Sequence, residues 1–299
     1  MEVTFWGVRG SIPAPGPGTV RYGGNTACVS VRTARGGLLV LDCGTGARNL
    51  GLALLGEGFG GAAGGAGGAG GTPASSGGRG SEAAILLSHT HWDHIQGFPF
   101  FSPLYIGANA FKIYGPAQSS ELLEGILEGQ MAPQYFPVQT LKNMGARIDI
   151  VAVPEEGPFD VLGCRVTAAL NPHGRAGALA FRIEDAGRTL VYASDAGYRA
   201  DGPPPASLSL YRDADLLIHD STYTPEDRAR YPERGLASVA EAVAAAASAG
   251  ARRLALFHYD QDYTDADLDV LLARARTLAA AEAPALEIIG AAEGLTLSL

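Results

Sequence analysis

Cysteine is scarce in this 299-residue chain, with Cys28, Cys43 and Cys164 the whole supply. An odd number with no Cys-x-x-Cys spacing argues against a disulfide framework and fits a reducing compartment. Long apolar runs are missing too, since none approaches the roughly 20 residues that cross a bilayer. Positive charge is in short supply: 22 Lys and Arg stand against 31 Asp and Glu, for a net charge of −9. That balance argues against broad binding to nucleic acid or to anionic membranes. It leaves room for a small anionic substrate, because bound cations would add local positive charge that the formal count ignores. The stretch Met1 to Trp6 lacks the basic segment and apolar core of a secretory signal, so a cytoplasmic location is expected. What the chain does have is an apolar content of 46% at a length that can bury a large core.

Histidine is the informative residue. Three of the six in the chain fall in one window, His89-Thr90-His91-Trp92-Asp93-His94. The apolar run Ala83 to Leu87, with Ser88, precedes it at strand length, so the window hangs from a strand end. In extended backbone, side chains two apart point the same way, which lets His89 and His91 share one ion. A turn into a helix after them would free Asp93 and His94 for a second ion. Imidazole and carboxylate suit zinc first, with manganese or iron as alternatives. The same pattern of apolar run followed by ligand recurs at His173 (after 167–170), Asp195 (after 190–194) and His258 (after 254–257).

Strands are expected near 2–8, 25–33, 37–42, 83–88, 111–114, 147–152, 162–169, 178–184, 189–194, 215–219, 252–257, 285–289 and 295–298. Helices are expected near 47–55, 119–129, 237–249 and 265–279. Strands lead in each half and helices follow, which suggests two packed sheets with helices outside. Residues 56–81 are different: glycine fills 13 of 26 positions. Such a segment cannot bury enough apolar surface to offset its ordering entropy, and it reads as a flexible surface insertion in one domain spanning 1–299.

On these residues the chain resembles the metallo-β-lactamase superfamily, whose signature is the His-x-His-x-Asp-His run followed by a later His, Asp and His. Phe5 to Ser11, Tyr22 to Thr26, Leu41 to Gly46, Ser88 to Pro103 and Leu256 to His258 are similar to its phosphodiesterase-like branch. That branch includes the tRNA 3′-end processing endonucleases and the cyclic phosphate phosphodiesterases. The resemblance implies an α/β, four-layer αββα sandwich of two mixed sheets. It implies two divalent ions: His89, His91 and His173 on the first, Asp93, His94 and His258 on the second, and Asp195 bridging them. Asp93 and Asp195 would carry the catalytic roles. Asp42 and Asp220 would stand behind the ligands as outer-layer groups.

Two departures shape the functional expectation. Asn171-Pro172-His173-Gly174 places its histidine one residue later than relatives that read Asn-His-Pro-Gly. Leu236 stands where the endonuclease branch has a histidine that helps protonate the leaving group, so Asp220 lacks that branch's partner. The 56–81 segment also carries a single basic residue, Arg79. tRNA is therefore discounted. The expectation is a hydrolase that cleaves a small or cyclic phosphodiester with metal-activated hydroxide. A thioester, lactone or amide hydrolase on the same ligands is the first alternative, and a metal-holding sensor module without turnover the second. No membrane partner is expected, and a homodimer is compatible with this reading. The aromatic runs Phe98 to Tyr105 and Tyr135 to Pro137 are candidate walls for a nucleobase, while Arg9, Ser11 and Asn25 lie in loops that could reach a phosphate. His219 reads as a packed histidine rather than a ligand.

Overall fold

A computed structural model of the chain describes residues 1–61, 80–116, 120–137, 140–154, 157–200 and 202–299. Most of the 56–81 insertion, residues 62–79, lies outside them. Its two flanks are close together, because the Gly60 N–H donates to Ser81 Oγ at 2.9 Å.

Among the described residues the strands form two sheets of seven. The first holds β1 (Glu2–Gly7), β2 (Cys28–Arg32), β3 (Leu38–Leu41), β4 (Glu82–Leu86), β5 (Ala110–Gly115) and β6 (Arg147–Ala152). The second holds β7 (Phe159–Val161), β8 (Cys164–Asn171), β9 (Ala178–Asp185), β10 (Arg188–Ala193), β11 (Leu216–Asp220), β12 (Arg253–Phe257) and β13 (Glu287–Gly290). The last strand, β14 (Thr296–Ser298), returns to pair with β1. The helices are α1 (Gly46–Gly56), α2 (Trp92–Ile95), α3 (Ser120–Gly129), α4 (Pro205–Tyr211), α5 (Pro225–Arg230), α6 (Val239–Ala249) and α7 (Asp265–Glu282). The expected two-sheet sandwich flanked by helices is what forms. The short β7, α4 and α5 carry no period long enough to have been read.

Alternation explains the layers. Val29, Val31, Leu39 and Leu41 point between the sheets, where they meet Phe181, Ile183, Tyr192 and Phe257. Their neighbours Cys28, Leu38, Val40 and Ile85 point outward beneath α1 and α3, with Phe98, Phe101 and Leu104. With both faces covered, β3 is buried at every position, as an inner strand of a covered mixed sheet should be. The three cysteines are buried and unpaired, in line with the absence of a disulfide framework. No described helix is long and apolar enough to cross a membrane.

Strand direction positions the site. β3, β4, β5 and β6 run parallel, as do β10, β11, β12 and β13. Their carboxyl ends therefore open on one rim, the usual place for a site in a parallel sheet. Asp42, Ser88, His89, Asp195 and His258 all follow such ends.

His219 lies within β11 and is fully buried. Its Nδ1 donates to the Asp220 carbonyl at 2.7 Å, so its Nε2 accepts from the Tyr198 hydroxyl at 2.7 Å. Burial pushes its pKa down to about 4. The unfolded chain then takes up this proton near pH 6.5 while the folded chain does not until about pH 4. Stability from this residue is complete above pH 6.5 and is lost as pH falls, by up to about 3 kcal/mol. Urea unfolding of wild type and His219→Gln between pH 7 and 4 should show the wild type losing more stability. Parallel curves would refute the assignment.

Candidate metal centre

Seven side chains meet at the rim. His89, His91 and His173 form one set, Asp93, His94 and His258 a second, and His89, His94 and Asp195 a third that joins them. Within each set the ligand atoms lie within 4.8 Å of one another. His91 Nδ1 is 2.9 Å from His173 Nε2, and His94 Nε2 is 3.3 Å from His258 Nε2. Asp93 Oδ2 is 3.2 Å from His258 Nε2 and 3.3 Å from His94 Nε2. Asp195 reaches both groups, with Oδ1 at 3.2 Å from His94 and Oδ2 at 3.5 Å from each of His173 and His258. All but His91 are buried.

The local sequence explains how they arrive. His91 is extended and caps α2, so Asp93 and His94 fall in the first turn and swing away from His89 and His91. The Asn171-Pro172-His173-Gly174 order still brings His173 into the first set, because its loop is tied by Gly197 N–H to the Pro172 carbonyl. Ser11, Asp42 and His258 all adopt left-handed backbone, with φ of +65°, +57° and +61°. Such conformations cost roughly 1–2 kcal/mol for non-glycine residues and concentrate at functional sites. Gly10 permits a close approach: a Cβ there would lie 2.2 Å from the His258 ring.

A ring of outer groups sets the orientation of the imidazoles. His94 Nδ1 donates to Asp42 Oδ2 at 2.7 Å and His173 Nδ1 to the Gly235 carbonyl at 2.8 Å. The Ser88 hydroxyl donates to Asp42, so it accepts from His89 Nδ1 at 3.0 Å. The Thr222 hydroxyl gives its proton to Asp220 Oδ1 at 2.6 Å and accepts from His258 Nδ1 at 3.0 Å. Each of these four rings therefore spends Nδ1 on an oxygen and turns Nε2 toward the cluster. Asp42 and Asp220 both stand behind the ligands, Asp42 directly and Asp220 through Thr222. Asp220 Oδ2 also accepts from the Ala196 and Ala237 amides, which ties the loop after Asp195 to the loop of Leu236.

The electrostatics fit a cation pair. Burial alone would raise the Asp195 pKa, yet the imidazoles of His258, His94, His89 and His173 outweigh it and hold the carboxyl below its ordinary range. Burial alone would likewise depress His94, but Asp93, Asp195 and Asp42 raise it well above the usual imidazole value. His89 Nε2 and Asp195 Oδ1 are buried without a hydrogen-bond partner. Orphaned buried polar atoms are costly unless an ion or water completes them. Five imidazoles and two carboxylates form a nitrogen- and oxygen-rich donor set suited to borderline divalent ions.

Beside the cluster a cleft of about 470 Å³ opens, lined also by Ser11, Ile12, Arg234, Leu236 and Gln261. Arg234 and Gln261 escaped the sequence reading, since an exposed arginine before a glycine carries no pattern. Other expectations are corrected. The aromatic runs at 98–105 and 135–137 do not line the cleft, and Phe98, Phe101 and Leu104 belong to the core. Arg9 is fully buried and donates to the carbonyls of Gly23, Asp260 and Tyr263, while Asn25 pairs with Glu293. Only Ser11 of that trio faces the cleft, and its amide donates to Asp93 Oδ2 at 2.7 Å.

Residues 69–259 match the family described as the beta-lactamase superfamily domain, well over half of the chain. Ribonuclease Z of Methanosarcina acetivorans is 26% identical over 292 residues, covering 82% of each chain. The metallo-beta-lactamase fold protein YhfI of Bacillus subtilis superposes with a TM-score of 0.68 at 20% identity, covering 99% of this chain and 98% of its own. A diphosphatase from the PhnP family superposes at 0.66 with 17% identity, covering 100% and 97%. At such identities these two structures show a shared fold.

Proposed function

The chain belongs to the beta-lactamase superfamily, and from that premise we propose a metal-dependent hydrolase of small or cyclic phosphodiesters. The carrying observation is the convergence of seven ligand side chains in three overlapping sets, each imidazole but His91 turned by an oxygen behind it. In this reading His89, His91 and His173 hold one ion, Asp93, His94 and His258 the other, and Asp195 spans both. Zinc fits the donor set best, with manganese or iron next. A divalent pair supplies acidified water and draws charge from phosphoryl oxygens.

The chain's own groups do the rest. Asp42 and the Gly235 carbonyl hold His94 and His173 in one tautomer. The Ser11 amide fixes Asp93. Leu236 gives the cleft an apolar wall. The cleft volume of about 470 Å³ suits a small ligand. Phosphorus rather than carbonyl carbon is favoured by the names of the relatives, a ribonuclease and a diphosphatase.

Metal content by mass spectrometry followed by an ester panel tests this. The purified protein should carry two divalent ions per chain. With zinc or manganese it should hydrolyse bis-p-nitrophenyl phosphate or a 2′,3′- or 3′,5′-cyclic nucleotide ahead of acyl-lactones and glutathione thioesters, and a chelator should abolish turnover. Preference for a carbonyl substrate would overturn the phosphodiester reading. Stoichiometric metal with no turnover on any ester would overturn the hydrolase.

A further inference from the structure

The segment 232–237 crosses the mouth of the cleft as a strap. Arg228 donates to the Pro232 carbonyl at 3.0 Å at one end, and the Ala237 amide donates to Asp220 at 2.9 Å at the other. Between them the Gly235 carbonyl orients His173. Gly235 has φ of +66°, and a Cβ there would crowd the Gly174 amide at 2.7 Å, so the strap passes this close only as glycine.

Arg234, on this strap, lines the cleft together with His173, Asp195 and His258. Its Nη1 donates to the Tyr223 hydroxyl at 3.0 Å, and its guanidinium carbon lies 4.3 Å from the centre of the Tyr231 ring. Ring and hydroxyl hold the side chain in one orientation, which limits the rotamer entropy lost on binding an anion. Asp260 acts on it through space, and a second hollow that it also lines holds Asp227, Asp260 and Asp262, yet no carboxylate among the described residues is hydrogen-bonded to its guanidinium. It is the one lysine or arginine among the described residues that line the cleft. In a chain of net charge −9, an oriented cation lining the cleft beside the cluster is a specific feature.

The cleft's other lining groups sharpen this. Apart from the cluster ligands it presents Ser11, Ile12, Leu236 and Gln261, none of which gives up a proton near neutral pH. A leaving oxygen therefore departs without a proton from these groups, carrying its charge. Arg234 can take that charge through paired N–H donors, because a guanidinium is always ionised and its fork matches a phosphate.

We propose that Arg234 receives an anionic leaving group, and that the same site cleaves a diphosphate-linked compound ahead of phosphodiesters of alcohols. This rests on the hydrolase reading above. A water oxygen forms the new bond to one phosphorus. The bond from that phosphorus to the bridging oxygen breaks, and its electron pair leaves with the second phosphate, which Arg234 binds. The water protons pass to solvent, and the products are two phosphate monoesters.

Two measurements on the metal-loaded protein test the assignment, with ADP-ribose as the diphosphate and bis-p-nitrophenyl phosphate as the diester whose leaving group bears no phosphate. Arg234→Ala should lower kcat/KM on ADP-ribose by about 100-fold, and by about tenfold more than on the diester. Arg234→Lys should recover part of the loss, since it keeps the charge but not the fork. Calorimetry with inorganic pyrophosphate, which needs no turnover, should show about tenfold weaker binding by Arg234→Ala. Equal losses on both substrates, or diester turnover with ADP-ribose untouched, would overturn the proposal. If wild type cleaves neither substrate but Arg234→Ala still weakens pyrophosphate binding, the anion site stands and the hydrolase reading falls.

Discussion

Asp195→Ala is expected to cost one of two bound metal ions and roughly 1000-fold in hydrolysis. Among the described residues Asp195 is the one carboxylate placed against imidazoles of both sets, within 3.2 Å of His94 and 3.5 Å of His173 and His258. Its loss would leave each set with three ligands and nothing between them, and would remove one of the cluster's two negative charges. Asp195→Asn separates shape from charge: the amide fills the same space but cannot neutralise a cation, so it should behave like alanine within about tenfold. The fold should survive both changes, because the adjacent Ala196 amide stays tied to Asp220 and β10 keeps its pairing with β9 and β11. Metal analysis, circular dichroism and turnover on bis-p-nitrophenyl phosphate decide it together. Two retained ions with activity within tenfold of wild type would remove Asp195 from the bridging position.

The members of this cluster were legible in the sequence because they follow four apolar runs, and parallel strands deliver their carboxyl ends to one rim. The sandwich was legible for the same reason, since β2 to β4 and β10 to β12 are short, apolar and bounded by turn residues. The groups behind the ligands were harder to read. Asp42 could be placed by resemblance, but Tyr192, which donates to it at 2.7 Å, reads as an ordinary core residue of β10. Thr222 and the Gly235 carbonyl act across 36 and 62 positions of chain, a separation that no local pattern reports. The aromatic run at 98–105 misled in the opposite direction. Ring density signals burial and stacking surfaces alike, and here burial under the first sheet took Phe98 and Phe101. Arg234 shows the limit from another side: its significance comes from Tyr231, Tyr223 and the cleft, all set by tertiary structure.

Asp42→Ala is expected to produce the largest loss of stability, about 3–5 kcal/mol. The carboxylate is fully buried, and its Oδ1 accepts the Ser88 amide at 2.7 Å. Its Oδ2 accepts from the Ser88 hydroxyl, the Tyr192 hydroxyl and His94 Nδ1, each at 2.7 Å. Removing it strands buried donors from β4's end, β10 and α2 at once, and each unsatisfied group costs about 1–3 kcal/mol. Alanine would also have to hold φ at +57°, a conformation that aspartate and asparagine tolerate better. Asp42→Asn distinguishes the scaffold role from the metal role. Asparagine keeps the backbone conformation and can still accept from some of the donors, so its loss of stability should be smaller, about 1–3 kcal/mol. Its amide cannot satisfy both oxygens' partners, so His94 loses its fixed tautomer and metal affinity should fall by about 10–100-fold. Thermal unfolding with and without zinc, alongside competitive zinc titration, reads both effects. Asp42→Asn that binds zinc as tightly as wild type would show that His94 needs no carboxylate behind it, and would leave Asp42 with a purely structural role.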